Sequence, residues 1–157
     1  MKHRHLASLA VAFFCLASFA EDEKTIIVDV RAGTVDEIDL RQSGPSLLAK
    51  LGSRVKKTTE LLEGGEPNDL FIVSFHGHEI RKHAVAFSFT DPVFRTKEGL
   101  GVGSTVEEFE KIYGRAVFSE AEGCHWQIRG ESVYLVVVNG CDSEPSRKRP
   151  VTEVSVW

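Results

Sequence analysis

Apolar and polar side chains alternate along several short stretches of this chain, a pattern typical of strands with one buried face. In the first half the alternation runs through Phe71–Phe75 and again through about Ile80–Phe89. The dipeptide His76-Gly77 between them is suited to a tight turn. The pattern therefore predicts an antiparallel hairpin.

The second half predicts strands in the same order along the chain. Two strands are expected at about Cys124–Ile128 and Val133–Val138, and a last strand at Val151–Trp157, after a charged loop. Near the start, Thr25–Val30 is β-branched and apolar and Val35–Leu40 alternates, which predicts a hairpin or two adjacent short strands.

Two short helices are predicted, each ending at a glycine. Ser43-Gly44-Pro45-Ser46 opens a helix over Ser46–Leu51, which Gly52 closes. In the helix over Thr105–Tyr113, Ser104 is the expected N-cap, with Glu107 completing a capping box and Gly114 ending the helix. The polar segment Lys56–Asn68 predicts a loop, in which Thr58–Leu62 is either a turn of helix or a short strand.

These elements occur twice in the same order. Leu51-Gly52 precedes the first hairpin, and Tyr113-Gly114 precedes the second set of strands. The sequence therefore predicts an α+β fold, in which two helix-plus-antiparallel-hairpin repeats, at about 21–90 and 91–157, form one compact domain.

The first twenty residues have the pattern of a secretory signal peptide. Lys2, His3, Arg4 and His5 form a basic head, and an apolar run of about fourteen residues follows, too short to span a bilayer comfortably. Ser18-Phe19-Ala20 places small residues where a signal peptidase cleaves. We expect a mature chain of residues 21–157, in the periplasm or secreted, without a membrane span after cleavage.

The charge of the mature chain bears on its partners. Removing Lys2 and Arg4 leaves 17 basic side chains against 23 acidic ones, a net charge of −6. An acidic surface disfavours nucleic acid, because contacts to phosphate dominate that kind of binding. It equally disfavours an anionic membrane surface.

Cysteine usage agrees with an oxidising compartment. Cys15 leaves with the signal peptide, and Cys124 and Cys141 remain as an even pair. Such a pair usually forms a disulfide outside the cytosol. We predict a Cys124–Cys141 disulfide, with two free thiols as the alternative.

Candidate chemistry is sparse. His76, His78 and His83 are the residues in a metal-like cluster, because zinc and copper accept imidazole ligands. A polar hairpin tip is the simpler interpretation, since Gly77 is expected at the turn. No catalytic or cofactor motif is found, so we predict neither an enzyme nor a bound cofactor.

Aromatic residues suggest a binding surface. Trp126, Tyr134 and Trp157 all fall on predicted strands near basic residues, and aromatics with arginine are favoured at interface hot spots. They suit the core of a small sheet equally well. One sheet face carrying these three aromatics is the candidate surface.

The stretch Thr96-Lys97-Glu98-Gly99-Leu100-Gly101-Val102-Gly103-Ser104-Thr105, followed by a helix ending in Tyr-Gly and an antiparallel sheet, resembles small secreted bacterial repeat modules. The wider resemblance is to the BamE-like (SmpA/OmlA) envelope lipoproteins and the β-lactamase inhibitory protein. This chain departs from the lipoproteins in lacking a lipid-attachment cysteine. The resemblance implies a non-enzymatic protein-interaction or envelope scaffold module. A periplasmic metal-binding protein that uses the three histidines is the alternative function.

Overall fold

Twelve strands and two α-helices make up the part of the chain that the computed structural model describes, which is residues 24–62, 64–120, 124–130, 133–140 and 146–157. In chain order, the strands are β1 (Ile26–Asp29), β2 (Thr34–Val35), β3 (Ile38–Asp39), β4 (Val55–Leu61), β5 (Pro67–Phe75), β6 (His78–Lys82), β7 (Phe87–Phe89), β8 (Phe94–Thr96), β9 (Ala116–Ser119), β10 (His125–Gly130), β11 (Val133–Val138) and β12 (Glu153–Val156). The helices are α1 (Gly44–Leu51) and α2 (Val106–Tyr113).

The strands form two sheets of unequal size. The larger one is antiparallel, with eight strands in the order β4-β5-β6-β7-β12-β11-β10-β9. It consists of two meanders, β4 to β7 and β9 to β12, which join where β7 pairs with β12 and Phe89 stands opposite Val154. The smaller sheet has the order β3-β2-β1-β8, with β1 antiparallel to β2 and parallel to β8.

The predicted α+β class with helix-plus-hairpin repeats is wrong. Strands dominate the described residues, and each of the two short helices leads into a four-stranded meander and not into a two-stranded hairpin. Part of the reason is β4, which overlaps the segment Lys56–Asn68. That segment is predicted as a loop in which Thr58–Leu62 is either a turn of helix or a short strand, and the structure has a strand of seven residues there. It is an edge strand with Val55 as its buried residue, and a strand that exposes most of its side chains shows little apolar alternation.

The return strand of the first hairpin also differs from the prediction. A turn at 83–86 divides the expected Ile80–Phe89 strand into β6 and β7, which pair with each other through Lys82 and Phe87. The turn before it is confirmed. His76 and Gly77 both have positive φ, 52° and 91°, and join β5 to β6 in a two-residue hairpin.

Side-chain caps start both helices. Ser43 Oγ accepts from the Ser46 N–H at the start of α1. At α2 the capping box consists of Thr105 and Glu108, one residue later than the predicted Ser104 and Glu107. Ser104 instead accepts from the Gly101 N–H at 3.2 Å, within the glycine-rich turn that precedes the helix.

The helices and the smaller sheet lie against one face of the eight-stranded sheet, which we call the covered face. At α1, a Cβ on Gly44 would lie 2.1 Å from the Phe71 ring, so only glycine allows this approach. From the smaller sheet, Phe94 packs against Phe75 and Phe89 with ring centroids 6.3 and 5.5 Å apart. These aromatics belong to a single hydrophobic core.

The predicted signal peptide, residues 1–20, lies outside the described residues and stays a prediction. Within the described ranges, no helix is long and apolar enough to cross a membrane.

Candidate functional site

The opposite face of the eight-stranded sheet is the candidate site, and we call it the open face. Residues directly opposite each other on neighbouring strands point to the same face of a sheet. One row of such partners crosses all eight strands on the open face: Val117, Gln127, Val136, Ser155, Ser88, Arg81, Ile72 and Lys56. Ser88 is the buried member of this row, and the others are exposed or half-buried.

Two of the three predicted aromatics lie on the open face. Tyr134 stands opposite Arg129, whose guanidinium carbon lies 5.0 Å from the centre of the Tyr134 ring. Trp157 lies on the other side of Tyr134, with ring centroids 5.9 Å apart, and its backbone N–H donates to the Tyr134 carbonyl. Trp157 is 51% exposed, and this row places a cation, a phenol and an indole side by side on the open face.

Trp126 lies on the covered face and is 4% exposed. Its Nε1 donates to Asn139 Oδ1 at 3.1 Å, and its ring packs on Phe118 with centroids 5.2 Å apart. The Arg147 guanidinium covers the ring from 5.1 Å. Trp126 therefore belongs to the core and contributes almost no accessible surface.

A hollow of about 350 Å³ opens on this face beside Trp157. Its rim is apolar and exposed, formed by Leu62, Val85 and Trp157. Ser88 and Ser155, which are direct cross-strand partners, also line it. The remaining polar lining consists of Glu60, Asn68, His83 and Glu153.

The loop at 83–86 lines the hollow, and hydrogen bonds from Lys82, whose side chain lies on the covered face, fix its backbone. Lys82 is fully buried between Phe71 and Phe87, and its ammonium donates to the His83 carbonyl and, at 2.9 Å, to the Ala84 carbonyl. Burial lowers the pKa of Lys82 below its ordinary value. Two charge-assisted hydrogen bonds thus fix the backbone that carries Val85.

The three predicted metal ligands do not come together. His76 Nε2 lies 3.4 Å from Asp36, His78 Nδ1 lies 2.7 Å from Asp91, and His83 Nδ1 lies 3.1 Å from Glu60. His78 begins β6 and His83 directly follows its last residue, so the two lie about 16 Å apart along the chain direction of the strand. Among the described residues, no group of three or more metal-ligating side chains is found.

Cys124 directly precedes β10, and Cys141 lies outside the described residues. Trp126 stands opposite Val137, so the same register places Cys124 opposite Asn139, two residues before Cys141. The Cys124–Cys141 disulfide stays a prediction.

The residues that line the hollow were not predicted from the sequence, although a signal for two of them is present. Ser88 lies between Phe87 and Phe89, and Ser155 lies between Val154 and Val156. Alternation places a polar residue flanked by two core residues on the opposite face of the sheet. Pairing of the two serines across β7 and β12 requires the strand order, which the local pattern does not contain.

No protein-family model matches this chain, and no curated protein matches it. Among solved structures, it is similar to the uncharacterized protein yfeY from Escherichia coli, with 12% sequence identity and a TM-score of 0.47. That similarity covers 85% of this chain and 99% of the other.

Proposed function

We propose that this protein is a non-enzymatic interaction or scaffold module that binds a partner protein through the open face. The observation that carries the proposal is the row of side chains across all eight strands of the open face, which among the described residues are exposed or half-buried except at Ser88, with Trp157 half-exposed beside a hollow rimmed by further apolar side chains. Exposed aromatics next to arginine are typical of interface hot spots.

The size of the open face suits a protein partner. Eight strands span about 34 Å at the usual spacing between strands, and the strands average roughly 18 Å in length, from about 10 Å for β7 to about 30 Å for β5. The area is on the order of 600 Å², close to the roughly 800 Å² that each partner contributes to a standard interface.

The proposal includes a periplasmic or secreted location, with cleavage after Ala20 and a Cys124–Cys141 disulfide. The basic head, apolar run and small residues of the first twenty positions support the cleavage. Intact mass of the protein recovered from the envelope, with and without reduction, tests both points. A chain that still begins at Met1, or one with two alkylatable thiols, would reject the respective part.

Photo-crosslinking from two matched positions tests the binding surface. Val117 on the open face is 54% exposed, and Ile112 on α2 is 45% exposed. A photoreactive residue placed at Val117 is expected to crosslink a discrete protein in the native envelope, whereas one placed at Ile112 is not. Crosslinks from Ile112 alone, or none from Val117, would contradict the proposal.

A further inference from the structure

Two serine hydroxyls in the hollow have unused hydrogen-bonding capacity. Ser88 is 4% exposed, and its side chain makes no hydrogen bond to any residue in the described ranges; the same holds for its neighbour Ser155. Every fully buried side-chain nitrogen or oxygen that the structure describes has a hydrogen-bond partner. The Ser88 hydroxyl therefore keeps access to solvent, and the hollow that it lines provides that access.

The two carboxylates that line the hollow, Glu60 and Glu153, differ in whether neighbouring side chains pair with them. Glu60 accepts hydrogen bonds from Arg81 at 2.9 Å and from Asn68 at 3.2 Å, and it also contacts His83. Glu153 makes no ion pair or side-chain hydrogen bond with any residue that the structure describes. Glu60 is paired with basic side chains and Glu153 is paired with no described residue, so Glu153 is the carboxylate of the hollow that is open to a cationic group.

The apolar rim suits the rest of a long cationic side chain. The indole of Trp157 is half-exposed, and the faces of tryptophan rings attract guanidinium and ammonium groups. Leu62 and Val85 on the rim, 49% and 68% exposed, can cover an aliphatic stem while the charged head stays hydrogen-bonded.

From this combination we infer that the hollow is the anchor subsite for an arginine side chain of the partner protein. The inference rests on the proposed function. A planar guanidinium carries five N–H donors and stacks on aromatic rings, so it matches both kinds of group that line the hollow, the oxygens of Ser88, Ser155 and Glu153 and the indole of Trp157. The expected net charge of −6 for residues 21–157 favours a cationic partner surface in general.

The test titrates the protein with Nα-acetyl-arginine amide and with its uncharged isostere, Nα-acetyl-citrulline amide. Binding is followed by the NMR shift of the Trp157 indole N–H, which the Trp157→Phe variant assigns. We expect arginine amide to bind with a dissociation constant on the order of 1 mM. Citrulline amide should bind about fivefold more weakly, as one partly screened charge pair predicts.

Two matched variants test whether Glu153 causes the preference for arginine amide over citrulline amide. Glu153→Gln is expected to remove the preference for arginine over citrulline. Glu79→Gln makes the same change in net charge at an exposed position of β6 outside the hollow, and should leave the preference unchanged. Equal shifts from both amides, or equal effects of the two variants, would overturn the inference.

The outcomes separate this inference from the proposed function. Crosslinks from Val117 without a preference for arginine reject the anchor subsite alone. A preference for arginine without crosslinks from Val117 rejects the protein partner and leaves a site for free cationic ligands.

Discussion

The two faces of the eight-stranded sheet differ most along the middle of the sheet, although they are built from the same strands. On the covered face, one row of cross-strand partners consists of Ala116, Ile128, Leu135, Val156, Phe87, Lys82, Phe71 and Lys57. Seven of these eight residues are buried. In the open-face row that runs from Val117 to Lys56, only Ser88 is buried. A shift of one residue along each strand therefore separates the core from the surface.

The comparison shows how the chain divides its aromatic residues. Trp126 and Trp157 lie on strands of one sheet, yet one is 4% and the other 51% exposed. The smaller sheet, the helices and the segment around Arg147 all pack on the side of Trp126. We infer that the covered face supplies the stability of the fold and that the open face remains available for recognition.

Among variants that compare the two faces, Trp126→Ala on the covered face is expected to lower the free energy of unfolding most. Removing a buried aromatic leaves a cavity and should lower the free energy of unfolding by about 3–5 kcal/mol. It also leaves Asn139 Oδ1 without the indole donor. Urea denaturation of the variant measures the loss, and a loss below about 1 kcal/mol would place Trp126 outside the core.

A smaller effect is expected from Gly44→Ala, which adds one methyl group at the contact between α1 and the covered face. The new Cβ would meet the Phe71 ring at 2.1 Å, so overpacking should cost about 1–3 kcal/mol. Phe71→Leu in the same chain should relieve part of that cost, because the two residues touch. Additive losses in the double variant would show that the Phe71 ring is not the obstacle.

Asp91→Asn tests a polar contact at the edge of the covered face. Asp91 accepts from the Val93 N–H at 2.9 Å and contacts His78 at 2.7 Å. Burial alone would raise the pKa of Asp91, but these two hydrogen bonds outweigh it and hold the pKa below the ordinary 3.8. The ionised carboxylate therefore stabilises the fold above about pH 3.8, and that stability is lost as the pH falls through the folded pKa.

We expect Asp91→Asn to lose about 1 kcal/mol at pH 7, and to show a shallower decline of stability on the acid side than the unaltered chain. Asp69→Asn is the matched control, because Asp69 pairs with Lys57 at an exposed position and should cost less than about 0.5 kcal/mol. Parallel acid-side curves for Asp91→Asn and the unaltered chain would contradict the assigned role of this carboxylate.

Sequence patterns predict the strands of this fold better than their assembly. The hairpin turn at His76-Gly77 follows from turn chemistry, and the strands β10 and β11 follow from local alternation. The full length of β4 does not follow, because its exposed side chains show no apolar alternation and the sequence leaves Thr58–Leu62 open between a turn of helix and a short strand. The parallel pairing of Ile26 with Phe94 does not follow either, because parallel pairing joins segments that are distant along the chain.

Part of the candidate site also follows from the sequence, and part of it depends on the tertiary fold. Tyr134 and Trp157 were predicted as a surface, and they contact each other on the open face. Alternation alone does not show whether Trp126 is buried or exposed. Either face of a strand can carry an aromatic side chain, and the elements packed on the sheet decide which face is buried. The hollow depends on Ser88 and Ser155 becoming neighbours across β7 and β12, which only the tertiary fold provides.

The most direct measurement compares Trp157→Ala with Ile112→Ala in binding to the protein crosslinked from Val117, and determines the unfolding free energy of the same samples. Trp157→Ala should weaken binding by about 2 kcal/mol, roughly thirtyfold, as a hot-spot residue does. Both variants should keep their stability within about 1 kcal/mol, and Ile112→Ala should bind as the unaltered chain does. Unchanged affinity in Trp157→Ala, or an equal loss in Ile112→Ala, would contradict recognition through the open face.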